Sequence, residues 1–232
     1  MTKTLAPATP SAHATLDALL SQRHSCRGFL PTPVSRELQQ KWLTTAQKTA
    51  SWCNSQPWRV HIAEGAAIER LREVMLAPPA EGEPGPDFEW PLKYQGEYQQ
   101  RRLACALQLY ASVGIAKGDR EASTRQAREN LRFFGAPHVA IVTSDASLSV
   151  YGAVDCGAYV ANLLLAAQSM GLGAIPQAAL ASRPQRLREF FGLGPDRLVV
   201  CGISFGYEDP QHPANGFRTP RAALDEVVQW VA

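Results

Sequence analysis

Ala50-Ser51-Trp52-Cys53-Asn54-Ser55-Gln56-Pro57-Trp58 joins a helical pattern to a strand-like segment at residues 59–63. Small and amide residues end the helical pattern, a proline fixes the backbone, and a tryptophan leads into the strand. Polar hydrogen-bonding groups are therefore held beside a flat apolar surface, which suits a planar heteroaromatic ligand. The same residue types are common in turns, so this stretch alone is equally typical of a helix end that runs into an edge strand.

The composition is typical of a globular protein. The 232 residues are 45% hydrophobic and 19% charged, and the net charge of +2 is too small to indicate a nucleic-acid partner. Five scattered cysteines without a CxxC pair favour a reducing cytoplasm. Neither the cysteines nor the five histidines have the spacing of metal ligands. We therefore expect a cytoplasmic protein without a metal site.

Two segments have to be distinguished from targeting or membrane signals. Residues 1–10 mix Thr, Ala, Pro and Ser with a single lysine and lack the hydrophobic run of a signal peptide, so we interpret them as a disordered or arm-like leader. Residues 151–173 are strongly apolar but contain Asp155, Asn162 and Gln168, which are costly inside a bilayer. We expect a helix in a core or a subunit interface instead.

Arg23-His24-Ser25-Cys26-Arg27-Gly28 follows a short helix predicted at residues 14–22. The arginine guanidinium is a planar fork of donors that matches phosphate oxygens, and serine adds a hydroxyl donor. A phosphate-binding turn is therefore physically reasonable. A solvated basic turn at the end of a helix is the alternative.

The remaining pattern alternates helices and strands. It predicts helices at residues 36–50 (with Ser35 as the N-cap), 67–76, 120–132, 151–170, 184–191 and 222–231, an amphipathic run at 94–115, and strands at 59–63, 139–143 and 197–204. Residues 174–180 are expected to form a turn that either presents backbone N–H groups outward or merely connects a helix to a strand. No repeat, linker, GxGxxG or GxxxxGK[ST] motif is present. The prediction is one α+β domain at 14–232, a leader at 1–13 and a lid insertion at 77–118.

Five motifs, in this order, resemble those of the FMN-dependent nitroreductase family, and most closely its nitrobenzoate and nitroaromatic reductase branch. They lie at residues 23–27, 51–58, 171–179, 200–207 and 218–221, and the resemblance spans about residues 16–230. It implies a nitroreductase-like α+β fold in which helices surround a central, mostly antiparallel sheet. It also implies an intertwined homodimer with two FMN sites at the subunit interface, each lined by both chains.

The resemblance assigns FMN-binding roles to each motif. The first and last motifs would hold the phosphate, the second would reach the flavin or ribityl group from the partner chain, and the third would lie along the isoalloxazine with backbone N–H groups near N5 and O4. The residues implied are Arg23, His24, Ser25, Arg27, Ser51, Trp52, Asn54, Gln56, Pro176, Gln177, Ala178, Ala179, Arg218 and Arg221. Asn130 and Arg132 are further candidates for the pyrimidine edge.

The sequence departs from the family pattern at two places. Ala178 and Ala179 stand where other members carry an acidic residue and a glycine, so only the backbone role is carried over there. Ala50 replaces the usual proline before Ser51, which puts the turn geometry in question rather than FMN binding.

The resemblance implies a ping-pong flavin shuttle. NADH or NADPH would pass hydride to flavin N5 and leave, and a small planar nitroaromatic or quinone acceptor would then take the electrons in the same space. Because N5 carries the chemistry, no protein residue is expected to be catalytic. One alternative is a reductive dehalogenase of the same fold, for which the lid offers Glu97, Tyr98 and Lys117, although not at the expected spacing. Another is a non-catalytic flavin-binding or redox-sensing protein, whose flavin face would be buried rather than open beneath lid residues 90–117.

Overall fold

A four-stranded sheet lies at the centre of the chain. The structure is a computed structural model and describes residues 10–231. The strands are β1 (Arg59–Glu64), β2 (His138–Asp145), β3 (Gly173–Gln177) and β4 (Arg197–Gly206), and their order across the sheet is β1-β2-β4-β3. Each neighbouring pair is antiparallel, with a bulge between Val142 and Thr143 where β2 meets β4. The predicted α+β class with a mostly antiparallel sheet is confirmed.

The described part of the chain contains seven α-helices. They are α1 (Ala12–Gln22), α2 (Arg36–Ala46), α3 (Ala66–Leu76), α4 (Gly96–Ser112), α5 (Arg120–Arg128), α6 (Ser149–Ser169) and α7 (Pro184–Phe191). The predicted cap of α2 is confirmed, because Ser35 Oγ accepts a hydrogen bond from the Leu38 N–H at 3.2 Å. Ser11 caps α1 in the same way, so residues 12 and 13 belong to this helix. The proposed leader otherwise falls mainly on residues 1–9, which lie outside the described residues.

The sheet separates two hydrophobic clusters. Successive side chains of β2 point alternately into one cluster and the other. Ala140 and Val142 pack with Trp42 of α2 and Tyr159 of α6. The opposite face of the sheet is packed against α3 and α7, whose buried apolar residues join those of β2 and β4. One helix pair therefore covers each face, and residue-by-residue alternation in β2 is what a strand buried on both faces requires.

The apolar helix α6 was predicted to lie in a core or an interface, and only part of it is buried. Tyr159 and Leu163 are buried, whereas Val150 and Val154 are about 60% exposed. By length and composition alone the stretch Ala146–Ser169 could also cross a membrane, but the core helix of a soluble protein meets the same description. The exposed face lies on the N-terminal half of the helix.

Two predicted elements are wrong. Residues 174–180 do not form a simple turn, since β3 occupies Gly173–Gln177 and a 3-10 helix follows at Ala178–Ser182. Proline is tolerated there because β3 is the last strand of the sheet. The helix predicted at residues 222–231 is reduced to one 3-10 turn, Leu224–Glu226. Val227 and Trp230 are 65% and 83% exposed, and a short helix is marginal without tertiary packing.

Two predicted helices end early. The helix predicted to reach residue 50 ends at Ala46, and the helix predicted to reach residue 132 ends at Arg128. After Arg128 the chain turns through Phe133 and Phe134, both with positive φ and both buried. The helix ends here because the turn allows both rings to be buried beside the start of β2.

Candidate functional site

The first and last arginine motifs of the chain meet at one cavity. This arginine cavity has a volume of about 600 Å³. Its lining residues are Leu20, Ser21, Arg23, His24, Ser25, Arg27, Cys105, Phe217, Arg218, Thr219 and Arg221. Four of these described residues are arginines and none is an aspartate or glutamate. Five residues expected to bind one phosphate, Arg23, Ser25, Arg27, Arg218 and Arg221, are therefore brought together from opposite ends of the sequence.

The outer edge of β3 holds the first motif in place. Ser25 forms a parallel bridge with Ala174, and the Cys26 N–H donates to the Ala174 carbonyl at 3.2 Å. The Cys26 side chain is completely buried, and burial raises the pKa of its thiol to about 12. Cys26 is therefore a packing residue and not a nucleophile. In a parallel pairing, the residues that follow Ser25 run alongside those that follow Ala174. Arg27 is therefore directed towards Pro176.

Two arginines of the cavity, Arg23 and Arg27, have pKa values below their ordinary value. Burial lowers the pKa of the Arg23 guanidinium below its ordinary value, and the positive charge of Arg221 lowers it further. Burial likewise lowers the pKa of Arg27, whose Cζ atom lies 5.7 Å from the centre of the Phe217 ring. A cluster of partly desolvated positive charges is most stable when an anion lies among them. The donor chemistry of the cavity therefore fits an anion.

His24 differs from the other predicted residues of this motif. It lines the cavity, but its Nε2 atom lies 3.1 Å from Glu208 Oε1 and its Nδ1 atom lies 3.2 Å from the Gln22 carbonyl. Both ring nitrogens thus have protein partners. These contacts join the turn after α1 to the loop after β4.

The third motif lies at the end of β3 and presents mainly backbone. Gln177 is 2% exposed, and its Nε2 atom donates to Asn130 Oδ1 at 3.2 Å and to the Asn130 carbonyl at 3.0 Å. Its Oε1 atom accepts from Ser204 Oγ at 2.5 Å. Its side chain is therefore engaged within the protein, while Ala178 is exposed and Pro176 and Ala179 are half-buried.

Of the two pyrimidine-edge candidates, only Asn130 contacts the third motif. The Asn130 amide lies beside Gln177, as described above. Arg132 is more than half exposed, and its Nε atom lies 3.5 Å from Glu129 Oε1. The structure thus brings Asn130, but not the Arg132 side chain, to the end of β3.

The second motif is held in a strained loop away from the arginine cavity. Cys53, Asn54 and Gln56 have φ values of 50°, 55° and 48°, and such conformations in residues other than glycine often mark functional sites. The loop is fixed at both ends. The Gln56 N–H donates to Ser51 Oγ at 2.9 Å, and the Trp52 N–H donates to the Asp155 carboxylate at 3.2 Å.

The motif leaves a large aromatic surface uncovered. Trp52 is 63% exposed, and its ring lies 4.7 Å from that of Tyr151, itself 57% exposed. Ser51, Trp52, Asn54 and Gln56 do not line the arginine cavity of their own chain. Within a single chain, the second motif therefore forms a surface that is separate from the arginine cavity and lies beside the exposed face of α6.

The segment predicted to form a lid, residues 77–118, contains a fixed part and an exposed part. Arg186 of α7 donates to both oxygens of Glu83 at 2.6 Å, and Arg188 donates to Asp87 at 2.6 Å. The insertion is therefore anchored before it reaches α4. Helix α4 has no fully buried residue, and Leu103 and Tyr98 are 56% and 63% exposed.

Sequence reasoning did not assign five of the lining residues to the site: Leu20, Ser21, Cys105, Phe217 and Thr219. Phe217 immediately precedes Arg218, the first residue of the last motif, so proximity to that arginine was a usable signal. Cys105 comes from α4, within the lid insertion. No local pattern marks Cys105, because its position depends on how α4 packs across the loop after β4.

Comparisons with known proteins agree with this arrangement. A model of the nitroreductase family matches residues 20–207. The nitroreductase NfnB of Mycolicibacterium smegmatis is 35% identical over 215 residues, which is 92% of this chain and 92% of that protein. The 4-nitrobenzoate reductase of Pseudomonas putida is 32% identical over 205 residues, or 88% of this chain and 90% of that one.

Solved structures extend the comparison to the fold. The FMN-dependent nitroreductase NfnB from Mycobacterium smegmatis in complex with NADPH superposes with a TM-score of 0.90 at 34% identity, over 96% of this chain and 100% of that chain. An FMN- and NADPH-dependent nitroreductase NfnB from a Sphigopyxis strain superposes with a TM-score of 0.89 at 29% identity, over 94% and 99% of the two chains. The chain belongs to the nitroreductase family.

Proposed function

We propose that the protein is an FMN-dependent oxidoreductase that uses NADH or NADPH to reduce nitroaromatic or quinone-like acceptors. The observation that carries this proposal is the arginine cavity, where four guanidinium groups from two distant motifs meet without a carboxylate among the described lining residues. Two relatives, a nitroreductase and a 4-nitrobenzoate reductase, support the class of acceptor.

The donor set of the cavity fits the phosphate of FMN. A phosphate monoester carries about −1.5 to −2 charges at neutral pH and has three strong acceptor oxygens. Arg23, Arg27, Arg218 and Arg221, with the Ser25 hydroxyl, would hold it by charge-assisted hydrogen bonds. The repulsion that Arg221 exerts on Arg23 would then be replaced by attraction to a common counter-charge.

The end of β3 would hold the ring system by its backbone and small side chains. Because the Gln177 amide is engaged with Asn130 and Ser204, the chain direction at Ala178 and Ala179 is fixed. Methyl side chains at these two positions leave a planar ring room to approach the backbone N–H groups. When bound, FMN supplies the reversible two-electron hydride chemistry, while the protein supplies orientation and electrostatics.

The site is completed in a homodimer. Val150, Tyr151 and Val154 on α6 form, with Trp52, an exposed apolar surface that a second copy would cover. That contact would place Ser51, Trp52, Asn54 and Gln56 of each chain at the flavin of the other. Asp155 supports this role, because it fixes the Trp52 backbone from the same helix face.

We place the enzyme in the cytoplasm. All five cysteines are free thiols, and Cys53 is exposed, which is compatible with a reducing compartment. The interpretation of α6 as a helix of a soluble protein agrees with its participation in the core through Tyr159 and Leu163.

The dehalogenase alternative has less support. Glu97 is paired with Arg101 at 2.8 Å, and Tyr98 is 63% exposed. Neither residue lines the arginine cavity, nor does Lys117. The arginine cavity therefore gives these three residues no role in binding a substrate. The comparisons also favour a nitroreductase over this alternative and over a protein that only stores flavin.

Steady-state kinetics test the proposal directly. The purified protein, with FMN added, should oxidise NADH or NADPH only when 4-nitrobenzoate or a quinone is also present, and double-reciprocal plots at several acceptor concentrations should give parallel lines. Intersecting lines would show that both substrates occupy the site together, and the ping-pong shuttle would be wrong. Bound FMN without any turnover would favour the flavin-storing or sensing alternative.

A further inference from the structure

The Asn215 side chain joins the two arginine motifs without lining the cavity itself. It is 4% exposed and lies at the end of a 3-10 turn, Pro213–Asn215. Its Oδ1 atom accepts from the Arg27 N–H at 2.6 Å, and its Nδ2 atom donates to the Gly28 carbonyl at 2.9 Å. The backbone carbonyl of Asn215 accepts from Arg218 at 2.7 Å. One residue therefore contacts an arginine of each motif.

The chemistry of these contacts requires an amide. The Nδ2 atom also donates to the Asp209 carbonyl at 3.0 Å, so the side chain accepts one hydrogen bond and donates two. An aspartate could accept from Arg27 but would place a carboxylate oxygen against two carbonyl oxygens. An aliphatic side chain would leave these buried groups without partners, which is costly.

The loop that carries Asn215 also lies unusually close to the first motif. A Cβ atom on Gly28 would come within 2.2 Å of His212 Cγ. The Gly28 carbonyl accepts from the Asp209 N–H at 3.0 Å in addition to the Asn215 amide. The separation between Arg27 and Arg218 is thus set by the contact of two loops, and Asn215 is the linking residue that contacts both arginines.

We propose that Asn215 is a positioning residue for the phosphate end of the cofactor. It acts by fixing the first arginine motif relative to Arg218, and so sets the spacing of the guanidinium groups around a phosphate. This inference rests on the proposed function. It assigns to Asn215 a role in discriminating a phosphorylated flavin from an unphosphorylated one, beyond the role that any buried amide has in stability.

The test compares FMN with riboflavin, which has the same ring and ribityl chain but no phosphate. Protein freed of flavin is titrated with each compound, and binding is followed by quenching of flavin fluorescence. In Asn215→Ala the affinity for FMN should fall about tenfold while the affinity for riboflavin stays within about twofold of wild type. Loss of preference for FMN is the signature that a purely structural residue would not give.

Gln39→Ala is the matched control. Gln39 is a 1% exposed amide whose Nε2 atom donates to Val34 O at 3.0 Å and to Glu64 Oε2 at 2.8 Å, and it does not line the arginine cavity. This variant should lower the melting temperature and preserve the ratio of the two affinities. If Asn215→Ala does not fold, Asn215→Ser, which keeps a short polar group, should still lower that ratio.

Three results would overturn the proposal. Equal weakening of FMN and riboflavin, or no change in FMN affinity, would show that Asn215 serves only the fold. If wild-type protein bound FMN but did not prefer it to riboflavin, the arginines would not hold a phosphate, and Asn215 would have no phosphate to position. If wild type bound neither flavin, the proposed function would fail together with this inference.

Discussion

Arg221 and Arg23 come from opposite ends of the chain to the same cavity, where burial and then the positive charge of Arg221 lower the pKa of Arg23. The first motif was identified in the sequence because arginine and serine at close spacing are a chemical signal for phosphate, whereas the last was assigned to the same site by the family resemblance. Their convergence could not be derived from either motif alone. It followed only from the resemblance, since the separation of two loops in space is set by the whole fold.

Arg221→Gln should weaken FMN binding by about 10- to 100-fold, because a hydrogen bond to a charged group contributes about 1.5–3 kcal/mol. Flavin fluorescence titration measures this. Arg120→Gln is the control, since Arg120 is exposed on α5 and does not line the cavity. Equal effects of the two substitutions would mean that only net charge matters, and the assigned phosphate site would be wrong.

His138 gives the folded chain a dependence on pH that is independent of the cofactor. It is 2% exposed, its Nε2 atom accepts from the Val34 N–H at 2.8 Å, and its Nδ1 atom lies 3.3 Å from Glu64 Oε2. Burial lowers the pKa of His138 below its ordinary value, although Glu64 opposes the shift. The folded state therefore favours the neutral ring.

The unfolded chain takes up a proton on this histidine below about pH 6.5, before the folded chain does. The contribution of His138 is thus complete above that pH and is lost as the pH falls towards the folded-state pKa. Urea unfolding between pH 7.5 and 5 should show a decline in the free energy of unfolding that is shallower in His138→Gln. The exposed His13 provides the control substitution, and an unchanged slope in His138→Gln would contradict this account.

At the scale of elements, the site depends on how the loop after β4 packs against the turn after α1. Gly28→Ala would place a Cβ atom 2.2 Å from His212 Cγ and force the two apart. Overpacking of this kind costs about 1–3 kcal/mol, so the variant should unfold at lower urea concentration and bind FMN less tightly than wild type. Gly85→Ala is the control, because an added Cβ there meets nothing within 4 Å. A normal FMN affinity in Gly28→Ala would show that this contact does not shape the cavity.

The elements that sequence reasoning missed are those whose stability comes from neighbours. The buried runs of β2 and β4 and the amphipathic helices α3 and α7 carry their own periodic signals, and they were predicted nearly to their bounds. Strand β3 was not, because five residues that include Gly173 and Pro176 have no strand signal of their own. It forms because β4 and Ser25 pair with its two edges. The prediction for the C-terminal segment was wrong in the opposite sense. That segment has a helical pattern, but little within the chain buries its apolar residues.

At the scale of the whole molecule, the exposed apolar surface formed by Trp52 and the N-terminal half of α6 predicts self-association. In sedimentation equilibrium the protein should behave as a particle of about twice its 25.3-kDa chain mass. Val154→Arg should give a monomer that has also lost most of its FMN, since the second motif would no longer reach the other subunit. Thr124→Arg, on the exposed face of α5, should remain dimeric. A monomeric Val154→Arg that binds FMN normally would show that one chain is sufficient for the site.

The most direct test of the central claim is the anaerobic absorbance spectrum of the purified protein, recorded as NADPH and then 4-nitrobenzoate are added. We predict a flavin band that decreases on addition of NADPH, or of NADH, and returns when the nitroaromatic is supplied. A band that is absent even after reconstitution with FMN, or one that neither nucleotide decreases, would contradict the assignment of this chain as a flavin-dependent nitroreductase.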